Sequence, residues 1–404
     1  MRRVDRLTLL GSLYLAQGVP FGFFTQAVPV VLRASGASLP WVGASSLLAV
    51  PWALKFLWAP WVDQHGSPRW GRRRSWLLPL QAATVAVLVG LAGVDPGRAA
   101  LWLGVGMFVC SVLAATQDVA TDGLAVDLLP PDERGLANGL QVGAYRLGMI
   151  LGGSVVLWVY QGMGWRIAFL GMAALVAVSS FPVWAWREPD RVGRDHQPGL
   201  NALLAALRRP GLPGWILALS AYKVGDALAA AMVKPMLVDA GLSLAAIGAL
   251  QGAGGSFAGL AGALAGGWLT GRLGSARALV GLGFAQALGA AIWVIPAWSA
   301  TPGQAALWAA ALTESFLGGM ATAALFTAMM DACRSDHGAT DYTVQACAVV
   351  LATGLAAPLA GVSAAHFGYA GHFALSAAIA LAGIAPIARA RLPADAGHGQ
   401  AAPM

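Results

Sequence analysis

Apolar segments about twenty residues long or longer recur roughly twelve times along this chain, and no other feature limits its fold as tightly. Their approximate boundaries are 7–32, 40–62, 75–94, 99–128, 135–159, 165–186, 211–237, 243–269, 276–298, 304–332, 340–362 and 366–388. A bilayer core is crossed by roughly 20 helical residues. Backbone in lipid has no water to bond, so only helices and closed barrels cross it. A barrel would show alternating ten-residue strands, and the sequence shows none, so the spans read as helices. Composition points the same way: 58% of the 404 residues are hydrophobic and 11% are charged. A water-soluble domain carries about 25% charged residues. A soluble enzyme, a nucleic-acid binder and a disordered scaffold are thereby set aside. The first segment is longer than the apolar core of a secretory leader and reads as a retained transmembrane helix.

The longest polar interruption begins at Arg187, passes Gly199 and reaches Arg208 and Arg209. Six spans precede it and six follow. The expected organisation is a six-helix bundle over 1–186, a cytoplasmic loop over 187–210 and a second bundle over 211–388. A short cytoplasmic tail follows over 389–404, and the loop is expected to carry a short amphipathic helix over 200–207. Lys and Arg are biased to one side of the predicted topology, with 18 there, 4 on the other side (Arg33, Arg98, Arg166 and Lys234) and 3 inside spans. By the positive-inside rule, that bias places both termini and the central loop in the cytoplasm.

Charges inside spans are costly and need a partner or a cavity. The fourth span carries Asp118 and Asp122, four residues apart and so on one helix face. They read either as proton-coupling acids or as clamps on Lys55 and Arg146. Arg146 itself reads either as a partner of these acids or as a contact for an anionic substrate group. In the seventh span Lys223 and Asp226 stand three apart, beside Tyr222, and read as a switchable or a static pair. Glu314 sits mid-span in the tenth and reads as a proton site. Tyr14 and Gln17 in the first span and Gln345 in the eleventh complete the substrate-binding or coupling candidates. His366 and His372 read as interface histidines beside a short turn.

A second set of charges lies at the predicted cytoplasmic ends: Asp63, Arg72, Arg73, Arg74, Asp127, Arg134, Arg272, Asp331, Arg334 and Asp341. These are the candidates for a gate that holds helix ends together, with plain positive-inside charge as the alternative. The loop after span 2 (Asp63 to Arg74) has a looser echo after span 8 (Gly266 to Gly274), which lacks the aspartate. Three cysteines and six scattered histidines show no metal-ligand spacing, so no metal and no cofactor is expected. The phosphate-loop pattern of ATP-driven pumps is missing from the sequence.

Several runs occur in order: Lys55 to Asp63, Gly71 to Trp76, Gln117 to Asp122, Leu129 to Gly135, Tyr145 to Met149 and Tyr222 to Asp226. Together they resemble the AmpG-like branch of the major facilitator superfamily over about residues 7–388. The stretch Met330 to Gln345 and the opening Gln17 to Gly22 are similar to that branch's ferric-siderophore permeases, of the rhizobactin and pyochelin type. The resemblance implies a proton-coupled importer of a ferric siderophore, multi-pass in the bacterial inner membrane, acting as a monomer by alternating access. Its partners would be a small-molecule substrate, protons and the lipid bilayer. The alternatives are a muropeptide importer of the AmpG type and a drug or metabolite exporter. It also implies that Asp118, Asp122, Arg146, Lys223 and Asp226 occupy the branch's intramembrane polar positions.

Overall fold

The computed structural model describes residues 2–28, 31, 48–67, 69–94, 100–188, 204, 207–299, 301–334 and 337–389. The chain there is helical, apart from turns and one isolated bridge between Ser67 and Gly71. α1 (Arg3–Gly22) starts where the Asp5 carboxylate accepts from the Arg2 backbone N–H at 3.2 Å, and it runs on through a π-turn, Phe23–Ala27. α2 (50–64) consists of Val50–Leu54 and Ala59–Gln64, joined by the 3₁₀ turn Lys55–Leu57. Pro51 and Pro60 stand in the first turns of its two pieces, where a missing N–H costs nothing. α3 is Arg74–Ala92 and α4 is Ala100–Leu128. α5 (Pro131–Ile150) passes through a π-turn, Leu151–Val155, into Val156–Met163. α6 is Trp165–Ser179, continued by Phe181–Ala185.

After the central loop come α7 (Leu212–Asp239), α8 (Gly255–Leu273), α9 (Ser275–Ala291) and α10 (Gln304–Asp331). A π-segment, Gly248–Gly254, leads into α8. The last helical stretch, Gly338–Arg389, has 52 residues and breaks at Gly368, where φ is 68°. At 1.5 Å per residue such a stretch is far too long for one crossing. The break divides it into α11 (338–367) and α12 (369–389). Nine helical segments among the described residues meet the length and hydropathy of a span, this double one included. With α2 and α8, the described helices account for the twelve expected spans. The front of span 2, most of the loop helix, the tail beyond Arg389, and Arg33, Arg98, Arg191, Arg194 and Arg391 lie outside the described residues.

The helices form two compact units. The first comprises Met1–Leu128, Ala144–Leu204 and Asp336–Thr343. Its core joins Phe23, Phe24, Leu88, Met107, Phe169 and Met172. The second comprises Leu129–Gly143, Ala205–Ser335 and Val344–Met404, with Met236, Trp293, Leu307 and Phe373 in its core. Large side chains such as Trp102, Trp158, Trp298, Leu355 and Val362 point outward, as suits a protein whose surroundings are hydrocarbon and headgroups.

Glycine sets how closely these helices pack. In the first unit Gly18 and Gly148 face each other where α1 meets α5. In the second unit a Cβ on Gly262 of α8 would overlap the Phe316 carbonyl oxygen of α10. Packing of this kind depends on small residues because lipid supplies no hydrophobic drive between helices. Gly262→Ala is therefore expected to force α8 from α10 and cost about 1–3 kcal/mol. Gly281→Ala, where nothing stands within 4 Å of the added methyl, is expected to leave stability unchanged. Thermal melting of the two variants in detergent measures the contrast.

Candidate functional site

A polar cluster lies inside the first unit. Tyr14 and Gln17 are three residues apart and so share one face of α1. Asp118, Thr121 and Asp122 share a face of α4. The two faces meet: the Tyr14 hydroxyl donates to Asp122 Oδ1 at 2.9 Å, and Gln17 Nε2 donates to Thr121 Oγ1 at 2.7 Å. Lys55 of α2 forms an ion pair with Asp118, and both side chains are nearly closed to solvent. One ammonium thus meets two carboxyl groups in surroundings nearly closed to water, where unbalanced charge is costly. Arg146, beside Tyr145 on α5, is half-buried in the same unit.

The second unit holds a comparable cluster. Lys223 Nζ donates to Asp226 Oδ2 at 2.6 Å, Gln286 Oε1 at 3.0 Å and Thr322 Oγ1 at 3.3 Å. Those three bonds match its three N–H donors. Gln286 is held in turn by its own Nε2, which donates to the Tyr222 carbonyl at 3.1 Å. Glu314, Gly318 and Thr322 stand at four-residue intervals, on one face of α10. Thr322 meets Lys223 and Gly318 faces Asp226, so Glu314 continues the row by one helical turn. The Tyr222 hydroxyl is spent on the Leu279 carbonyl at 3.1 Å. Gln345 lies apart from this row. It accepts from Trp215 Nε1 at 2.7 Å and donates to the Met329 carbonyl at 3.2 Å. Its amide thus ties α7, α10 and α11 together.

The charges around Arg72 and Arg73 in the first unit form a third group. Arg73 is fully buried and bridges Asp63 at 2.8 Å and Asp127 at 3.0 Å, while Arg72 reaches Asp127 at 2.9 Å. Asp63 Oδ2 accepts from the backbone N–H and hydroxyl of Thr340 at 2.7 and 2.5 Å. That carboxylate therefore sits at the start of α11, where helix N–H groups have no partner of their own. Glu188 caps α3 in the same way, accepting from the backbone N–H groups of Arg73 and Arg74 at 2.8 and 3.0 Å. Arg74 also donates to the Trp184 carbonyl at 2.6 Å. In the second unit Arg134 pairs with Asp331 at 2.8 Å. Asp341 is fully buried at the start of α11, and Arg334 lies shortly before it.

Two expectations need correction. Arg272 does not brace an acid among the described residues; it is exposed and lies over the Trp268 ring, 4.1 Å from its centroid. The aspartate that would have faced it is missing from that second loop. His372 is no interface group. It is fully buried, with Nε2 3.0 Å from the Leu228 carbonyl and Nδ1 3.0 Å from Ser363 Oγ. A carbonyl only accepts, so Nε2 carries the hydrogen. Lys55, Thr121, Glu188, Gln286, Thr322 and Thr340 complete the three clusters without having been singled out as site residues. Among them, only Lys55 had a sequence signal, a cation inside a span.

Residues 8–348 match the family model of the Major Facilitator Superfamily. The chain belongs to the major facilitator superfamily. Like other superfamily members, it is a multi-pass membrane transporter of small molecules. The anhydromuropeptide permease of Escherichia coli (strain K12) is 29% identical to it over 392 residues, spanning 94% of this chain and 78% of the permease. The transporter AmpG 4 of Rickettsia felis is 25% identical over 395 residues, spanning 94% of each chain. The AmpG-like branch is thus the part of the superfamily to which this facilitator is similar. In fold it matches the crystal structure of the superfamily transporter FucP in the outward conformation, with a TM-score of 0.71 over 94% of this chain and 98% of that one, at 16% identity.

Proposed function

We propose that the chain is a proton-coupled importer of a muropeptide-type substrate, a saccharide carrying a short peptide. The observation that supports it most is the buried cluster of Lys55, Asp118 and Asp122, which sets two carboxyl groups beside one ammonium inside the first unit. The similarity to the anhydromuropeptide permease supports the substrate class. That class replaces the ferric siderophore expected from the runs Gln17 to Gly22 and Met330 to Gln345, since the named relatives favour the muropeptide alternative.

In this reading the arginine-rich end faces the cytoplasm. Asp63 bonded to Thr340 in the first unit, and Arg134 paired with Asp331 in the second, each join segments from before and after the central loop. Substrate and proton enter from the other side. Protonation alters the charge of the acid clusters, which changes the balance between the two access states. Lys223 and Asp226 form the second coupling element, with Glu314 one turn beyond on the proton's route.

Asp226→Asn tests the second element. The amide keeps an acceptor for Lys223 but cannot exchange a proton. The expected result is loss of gradient-driven accumulation in proteoliposomes, while exchange of substrate between the two sides persists. Full accumulation by folded D226N would remove Asp226 from the coupling path.

A further inference from the structure

Three aromatic rings close a triangle next to the Lys55 cluster. Phe21 of α1 lies 4.9 Å from Trp52 of α2, centroid to centroid, at an interplanar angle of 69°. Tyr145 of α5 lies 5.6 Å from Phe21 and 6.2 Å from Trp52. Such tilted and edge-on contacts are the favoured geometries for aromatic groups. Ala114 and Ala115 of α4 pack against Trp52 in the same cluster.

Helix spacing places this group. Phe21 follows Gln17 by four residues and Tyr14 by seven, so it continues the α1 face that carries the polar cluster. Ala114 precedes Asp118 by four residues on α4. The rings therefore stand about one helical turn from the acids. Lys55 Nζ lies 5.5 Å from the Trp52 ring centroid, which ties the rings directly to the ion pair.

The triangle is not sealed like core. Trp52 is covered, but Phe21 and Tyr145 are only half-buried, so part of their ring surface stays open. The Tyr145 hydroxyl has no hydrogen-bond partner among the described residues, although Asp118 and Asp122 lie near enough to act on it electrostatically. Open ring faces, an unused phenol and a buried ammonium–carboxylate pair one turn away make two surfaces of different character side by side. One is apolar and flat, and the other is polar and charged.

A pyranose ring has the same two-sided character. Its axial C–H bonds form an apolar face that is attracted to the negative face of an aromatic ring. Its hydroxyl and acetamido groups project around the rim and need donors and acceptors. We propose that Phe21 and Tyr145, backed by Trp52, are the subsite that holds the saccharide ring of the substrate. The Tyr145 hydroxyl and the Lys55–Asp118 pair bond the groups on its rim. This inference rests on the muropeptide reading above and adds to it which part of the substrate meets the first unit.

Binding to the purified full chain in detergent tests it, with two probes: an anhydro-disaccharide peptide and the stem peptide without sugar. The wild type is expected to bind the disaccharide peptide at least about tenfold more tightly than the free peptide. Phe21→Leu keeps much of the apolar volume and removes the π face, so it is expected to weaken disaccharide binding about tenfold with little change in melting temperature. Phe21→Tyr keeps the face and is expected to retain affinity. Tyr145→Phe keeps the ring and is expected to lose affinity for the disaccharide alone.

Equal binding of both probes by the wild type would overturn the saccharide subsite and leave muropeptide import standing. Binding of neither probe would overturn the import reading and the subsite with it. Unchanged affinity in both Phe21→Leu and Tyr145→Phe would overturn the assignment of these rings. A loss in Phe21→Leu that Phe21→Tyr shares, with a lower melting temperature, would show packing and not stacking, and would overturn it too.

Discussion

Arg73→Ala is expected to lower stability by about 3–5 kcal/mol, because it strands buried carboxylates that no longer have a cation. Arg73 is fully buried and joins Asp63 to Asp127. Without it, Asp63 keeps only the two Thr340 donors, and Asp127 keeps Arg72 on its outer side. Proteins hold roughly 5–15 kcal/mol of net stability, so a loss of that size is a large share. Arg73→Lys is expected to fall between alanine and wild type. An ammonium is a point charge and cannot reach two carboxylates as the guanidinium fork does. Melting in detergent, followed by size-exclusion profile, measures the series. R73A with a wild-type melting temperature would contradict the view of this network as a structural lock.

The second large effect concerns coupling. Asp122→Asn is expected to remove gradient-driven accumulation while leaving the protein folded. The amide oxygen still accepts from Tyr14, and the neutral group stands in for the protonated acid. Asp118→Asn is expected to behave differently, because it leaves Lys55 buried beside a neutral group. Breaking a buried pair from one side costs about 3–5 kcal/mol, whereas replacing both members with apolar residues is often neutral. The double variant Lys55→Met with Asp118→Leu is therefore expected to be more stable than D118N, and inactive. Melting temperatures rank the three variants, and uptake with and without an imposed gradient separates coupling from folding. A D122N protein that still concentrates substrate against a gradient would take the proton off this cluster.

The spans were plain in the sequence because hydropathy is a local property that lipid enforces segment by segment. The pairing of acids was partly plain. Four-residue spacing puts Asp118 and Asp122 on one face whatever surrounds them, and Lys55 was a candidate partner by virtue of being a cation in a span. What the spacing could not supply was contact at long range. Tyr14 meets Asp122 across 108 positions and Asp63 meets Thr340 across 277. Such partners are fixed by how helices pack, and glycines at the α1–α5 and α8–α10 crossings decide that packing. Glu188 looked like one more charge in a loop, since a helix cap supplied from so far along the chain leaves no local pattern. The π-turns at Phe23–Ala27, Leu151–Val155 and Gly248–Gly254 left no sequence signal either. Gln345 read as a cavity group because a polar residue in a span invites that reading. Its bonds to Trp215 and Met329 give it a tie between helices.

Proton-coupled import is tested most directly by uptake into proteoliposomes under an imposed inward proton gradient. The probes are an anhydro-muropeptide and a ferric siderophore, each with and without an uncoupler. The expected result is accumulation of the anhydro-muropeptide above equilibrium, abolished by the uncoupler, with no accumulation of the ferric chelate. Uncoupler-insensitive equilibration of the muropeptide, or accumulation of the ferric chelate in its place, would contradict the account.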